Sequence, residues 1–290
     1  MSWRIIVISS NAKLDYQLGF LIVRKDTIKK IYLNEISILI LESTAISLTA
    51  SLVSELLKRK IKIIFCDEKR NPCGEVVPYY GSHDTSIKVK TQIKWDEKVK
   101  KTVWTQIVKE KIKKQREFLQ EIGKEEEILL KTYLNEIKEG DVTNREGHAA
   151  KVYFNAIFGV DFTRTEECPV NAALNYGYSI ILSAFNREVV GNGYLTQIGI
   201  CHDNMFNYYN LSSDLMEPFR ILVDRKVYAM KPQKFEHEEK MLTVSLLNEE
   251  VRIANRKEYI NNAIKIYCKS ALDALSEGDE TLIRFYENEL

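Results

Sequence analysis

The sequence predicts an α+β fold with segregated parts, on three observations. Short β-branched runs divided by polar pairs fill the first eighty or so residues. From Ile87 onward the apolar residues fall at helical spacing. Between the two textures lies a breaker region with Pro78, Gly81 and the polar "SHDTS". These place an N-terminal strand-rich domain over 1–84 and a helical domain over 85–290.

Taken in order, "WRIIVIS", "LGFLIVRK", "KKIYLNE" and "ISILILES" read as strands. "AISLTASLVSELLKRK" reads as one helix, since Ile46, Leu48, Leu52, Val53, Leu56 and Leu57 gather near one face and basic residues close it. "IKIIFCDE" and, after a turn at Asn71-Pro72 and Gly74, "EVVPYYG" return to strand. The proline-free run 86–123 reads as a long helix through Ile93, Val99, Val103, Ile107 and Ile112. "NREGHAAKVYFNAIFG", "PVNAALNYGYSIILSAFNREVVG" and "RKEYINNAIKIYCKSALDALSEG" read as further helices. No fixed-period repeat is visible.

Composition excludes several classes. An apolar fraction of 45% beside 29% charged residues is that of an ordinary globular chain, not a disordered one. The five cysteines are an odd number with neither disulfide-framework nor zinc spacing, so they read as reduced thiols of a cytoplasmic protein. "ISILILES" is too short to span a bilayer, and the start lacks the features of a secretory signal.

The net charge of +1 conceals an uneven distribution. Between Ile87 and Arg116 eleven basic residues face only Asp96, Glu97 and Glu110, a local net charge of +8. Such a run is either a solvated helix face or the footprint of a polyanion. Lys88, Lys90, Lys94, Lys98 and Lys101 are the candidate contacts of such a polyanion.

"HDNMFNYYNLSSDLMEPFR" concentrates chemistry in nineteen positions. If "SDLMEPFR" is one helical stretch, Asp214, Glu217 and Arg220 share a face, while Leu215, Phe219 and Leu222 face the core. Pro218 either sits in the first turn or kinks the helix. An imidazole at His202 near two carboxylates suits magnesium or manganese better than zinc. Against this, Asp214 can be a helix-dipole charge and His202 a satisfied buried histidine. Glu146 is a third candidate ligand, although Thr143-x-x-Glu146 is also a ready capping box. Spacing leaves that choice open. Tyr208 and Tyr209 suit either a stacked base or core packing.

The stretches "NREGHAAKVYFNAIFG", "NAALNYGYSIILSAFNRE" and "GICHDNMFNYYNLSSDLMEPFR" together resemble the universal CRISPR adaptation integrase, CRISPR-associated protein one, in its compact type II form. The opening 24 residues and "IKIIFCDEKRNPCGEVVPYYG" also resemble that family's N-terminal domain. The resemblance implies a β-sandwich-like N-terminal domain that dimerises, followed by an all-α-helical catalytic domain. It implies a divalent metal, Mg2+ or Mn2+, held by Glu146, His202 and Glu217. It further implies that Asp214 supports the triad, as an added ligand or as a residue behind the ligands, and that Arg220 faces a phosphate. The implied reaction is transesterification, in which a prespacer DNA 3′-hydroxyl is joined to the CRISPR repeat. A DNA phosphodiesterase using water alone is the alternative. Implied partners are a second copy, the small second adaptation protein in a heterohexamer, prespacer and repeat DNA, and in type II systems the effector nuclease and a ring-forming accessory protein.

Overall fold

Six wholly buried residues, Ile36–Leu41, form the central strand of the N-terminal part, as continuous apolar runs do when a sheet is covered on both faces. The computed structural model describes residues 4–79 and 81–287. Trp3 of the first expected strand, Tyr80 of "EVVPYYG" and the last three residues of the acidic end lie outside the described residues.

In chain order the first elements are β1 (Arg4–Ile8), β2 (Ala12–Gln17), β3 (Phe20–Arg24), β4 (Ile28–Tyr32), β5 (Ile36–Leu41), β6 (Ile46–Leu48), α1 (Ala50–Lys58), β7 (Lys62–Cys66) and β8 (Pro72–Glu75). They make two four-stranded sheets, ordered β1-β5-β7-β8 and β4-β3-β2-β6. In the first, β1, β5 and β7 run parallel and β8 returns antiparallel. That sheet is a shared layer. Leu39, Leu41 and Ile63 pack toward the second sheet and α1, whereas Ile38, Ile40, Ile64 and Cys66 pack into the helical core.

Two local expectations need correction here. The helix expected from Ala45 starts at Ala50, because Thr49 caps it by accepting from the Leu52 amide at 3.3 Å. Ile46 and Leu48 alternate instead, and β6 pairs in parallel with β2. The strand expected at "EVVPYYG" lies upstream at Pro72–Glu75, since a turn closed between Asp67 and Asn71 sets the pairing with β7.

The helical part contains α2 (Thr85–Ile93), α3 (Glu97–Glu121), α4 (Glu127–Glu136), α5 (Arg145–Phe158), α6 (Pro169–Gly191), α7 (Asn210–Leu215), α8 (Glu217–Met230), α9 (His237–Ser245) and α10 (Ile260–Glu277). The single long helix expected over 86–123 is two. Asp96 breaks it by capping α3, its carboxylate accepting from the Lys98 and Val99 amides at 2.8 and 3.3 Å. The part is also not purely helical. β9 (Glu250–Ile253), β10 (Arg256–Tyr259) and β11 (Tyr286–Glu287) form a small antiparallel sheet ordered β10-β9-β11, so "RKEY" is strand rather than the start of the last helix.

Polar ties join the shared sheet to the helices. Glu75 pairs with buried Lys62 at 2.6 Å and accepts from Ser183 and Asn186 of α6 at 2.7 and 3.1 Å. Lys240 of α9 donates to the carbonyls of Lys69 and Arg70 at 2.6 and 3.1 Å. Each of the five cysteines is free, and no helix among the described residues is long and apolar enough to cross a membrane.

Candidate metal and DNA site

Four helices, α3, α5, α7 and α8, and one loop build the site. At the start of α5 the orphan amides are satisfied by Asp141, which accepts from Arg145 and Glu146 at 2.8 and 2.9 Å, and by Asn144, which accepts from Gly147 at 3.2 Å. Asn144, not Thr143, is the N-cap, and the buried Thr143 hydroxyl has no hydrogen-bond partner among the described residues. The capping-box reading of Glu146 is therefore set aside. Its carboxylate is free for other work and meets the Lys111 ammonium from α3.

Glu217 opens α8, with Pro218 tolerated in its first turn, where no intrahelical donor is needed. "SDLMEPFR" is thus two helices meeting at Met216, not one, although Leu215, Phe219 and Leu222 are buried as expected. One oxygen of Glu217 receives the same Lys111 ammonium and the other receives Arg220 Nε at 2.8 Å. Burial raises the Glu217 carboxyl, but Arg220 and Lys111 outweigh it and hold it down at about 2. Burial also opposes the charge on Lys111, and Glu217 and Glu146 more than restore it, so its pKa is raised.

His202 is oriented by Asp214. One carboxylate oxygen of Asp214 accepts from the Ile200 and Cys201 amides at 2.6 and 3.0 Å. The other accepts from the His202 amide at 3.1 Å and bonds its Nδ1. A Cβ on Gly199 would stand 2.3 Å from the His202 carbonyl oxygen and 2.8 Å from Asp214, so only glycine lets this loop close on the carboxylate. The Trp104 ring meets the imidazole edge-on at 5.8 Å. With Nδ1 committed to Asp214, Nε2 is the nitrogen left for a ligand, the arrangement common in metal-binding histidines. The bond to Asp214 raises the His202 pKa against partial burial, and the charges of Asp214, Glu217 and Glu146 add to it.

The structure thus brings Glu146, Glu217, His202, Asp214 and Arg220 to one place. Asp214 is placed to position His202, and Arg220 lies 4.8 Å over the Tyr178 ring while bonding Glu217. Among the described residues no three histidine, cysteine, aspartate or glutamate side chains stand in metal-holding geometry, and a lysine ammonium sits between the two glutamates. The donor set nonetheless fits a hard divalent ion: two carboxylates converge on one cation, beside an imidazole already set in the right tautomer.

The basic run divides by burial. Lys90, Lys94, Lys98 and Lys101 are exposed, and Lys88 is half-buried with Nζ 5.5 Å over Tyr194. Lys111 and Lys114 are buried, the latter between Glu110, Glu117 and the Tyr286 ring. Reading Lys111 as part of a solvated basic face missed a site residue. Its signal was phase, since it falls on α3 with buried Ile107 and Phe118, four and seven positions away. Tyr208 is 72% exposed, so core packing does not account for it.

A family profile described as CRISPR associated protein Cas1 matches residues 5–260. The chain is 35% identical over 235 residues to a protein of Neisseria meningitidis serogroup C named CRISPR-associated endonuclease Cas1, covering 80% of this chain and 77% of that one. Its fold is similar to a casposase bound to integration product, at TM-score 0.77 and 17% identity, over 97% of this chain and 93% of that one. It is also similar to a chain of a Cas6-RT-Cas1–Cas2 complex, at TM-score 0.77 and 20% identity, over 99% of this chain but 36% of that longer one.

Proposed function

The chain belongs to the Cas1 family of CRISPR-associated proteins, and from that premise we propose that it is a metal-dependent DNA endonuclease and integrase of CRISPR adaptation. One observation carries the reading. Glu146 and Glu217, from separate helices, converge on the Lys111 ammonium near an imidazole whose other nitrogen is held by Asp214.

Glu146, Glu217 and His202 Nε2 would hold Mg2+ or Mn2+, which when bound supplies Lewis-acid polarisation of a phosphate and stabilises its developing charge. The chain's own residues do the rest. Asp214 keeps the imidazole in one tautomer and aims it. Arg220, fixed by Glu217 and Tyr178, offers its remaining N–H donors to a phosphate oxygen. Exposed lysines of α2 and early α3 neutralise backbone phosphates without reading sequence, as acceptance of varied spacers requires. In the reaction a DNA 3′-hydroxyl attacks phosphorus, a new P–O bond forms, and the old bond to the departing 3′-oxygen breaks. Water in place of that hydroxyl gives hydrolysis at the same site. Positioning and electrostatics suffice, with no covalent protein intermediate. The homodimer, the small second adaptation protein and prespacer and repeat DNA belong to the same proposal.

The test is strand transfer by the purified chain with that small partner, a prespacer with free 3′-hydroxyls and a plasmid carrying the repeat. Joining that needs Mn2+ and disappears in Glu146→Ala and Glu217→Ala is the expected result. Cutting without joining would replace the integrase with a simple phosphodiesterase, and joining that persists in Glu146→Ala would break the triad.

A further inference from the structure

Lys111 is buried at the centre of the site, its side chain 9% exposed, and its Nζ bonds both Glu146 and Glu217. A buried ammonium is costly unless carboxylates pair with it, and two carboxylates this close repel unless a cation lies between them. We propose that Lys111 is an exchangeable internal cation, which holds Glu146 and Glu217 together in the metal-free protein and yields their oxygens to the divalent ion. The inference rests on reading these two glutamates as metal ligands.

The bonding pattern says which cation gives way. Of the two Glu217 oxygens, one faces Lys111 and the other faces Arg220. Arg220 is restrained by a second contact, stacking at 4.8 Å on Tyr178, whose hydroxyl donates to buried Asp224. Lys111 is a compact charge on a flexible four-carbon stem, and can withdraw along α3. Its two partners come from α5 and α8, so the ammonium also sets the spacing of those helix starts before any metal arrives. A doubly charged ion with open coordination positions outcompetes a single ammonium for the same oxygens, and a lysine there tempers the affinity.

Mn2+ binding to the full chain without DNA, followed by the electron paramagnetic resonance signal of free Mn2+, tests this alongside thermal melts in chelator and in Mn2+. Lys111→Met is expected to bind Mn2+ at least about fivefold tighter than wild type. It should melt lower in chelator and recover in Mn2+, whereas Lys111→Arg keeps the charge and shows no tightening. A purely structural lysine would lower the melt in both conditions and leave affinity unchanged, which overturns the exchange. Should Lys111→Met not fold, Lys111→Gln reads the same quantity, with unchanged or weaker binding counting against the proposal. Wild-type binding that is lost in Glu146→Gln and Glu217→Gln supports the metal reading separately. No wild-type binding overturns that reading and the exchange with it.

Discussion

Asp214 accepts three backbone N–H groups and bonds the imidazole nitrogen, so in the proposed function its part is to position His202. Asp214→Asn turns an amide NH2 toward donors that need an acceptor. It is expected to weaken Mn2+ binding by roughly 10- to 100-fold, the usual loss when the partner of a ligating histidine is removed, measured by titration without DNA. Behind the site, burial pushes Asp224 up to about 6 from 3.8, against the Tyr178 hydrogen bond. A carboxyl raised on folding contributes fully below its unfolded value and loses that contribution as pH rises through the folded one. Urea unfolding should therefore show wild type losing roughly 2–3 kcal/mol more than Asp224→Asn between about pH 4 and about pH 7. An equal loss in both proteins would contradict the assignment. At this scale His202 and Glu217 were legible, because a rare histidine and clustered carboxylates stand out in one segment. Lys111 was not, because its partners come from two other helices and its neighbours in sequence are also lysines.

Lys90 of α2, Lys94 in the break after it, and Lys98 and Lys101 in the first turns of α3 remain in solvent, as does Lys113 further along α3, and the break turns the run at Asp96. If Lys94 and Lys98 each neutralise one phosphate, the double variant Lys94→Ala, Lys98→Ala should reduce the slope of log affinity against log salt by about 2, uniformly across DNA sequences. An unchanged slope would return these residues to plain surface. Elements with one dominant period were readable: β1, β5 and β7 from β-branched runs, α5 and α6 from helical spacing. β2 was missed because "AKLDYQ" sits on a half-exposed sheet and shows little apolar excess. α1 and α3 were misplaced because single capping side chains, Thr49 and Asp96, override the hydrophobic period.

Across the molecule, the sheet β1-β5-β7-β8 gives one face to each apolar core, so strand and helical parts share a layer. Calorimetric unfolding is accordingly expected as one transition, and two separated transitions would contradict this coupling. Glu75 is the polar centre of that layer. Glu75→Ala leaves Lys62 buried without its carboxylate and should cost about 3–5 kcal/mol in chemical denaturation, whereas a loss below about 1 kcal/mol would show the tie to be marginal. The texture change before Ile87 was visible in sequence. The shared sheet was not, since the residues tying β8 to α6 lie more than a hundred positions apart.

The central claim is that one divalent ion sits among Glu146, Glu217 and His202. Anomalous diffraction from crystals grown with Mn2+ reads this directly. A single manganese peak coordinated by both glutamates and by Nε2 of His202, with the Lys111 ammonium withdrawn, is the predicted result. A manganese-saturated crystal with no peak there, and with Lys111 still bridging the two carboxylates, would contradict it.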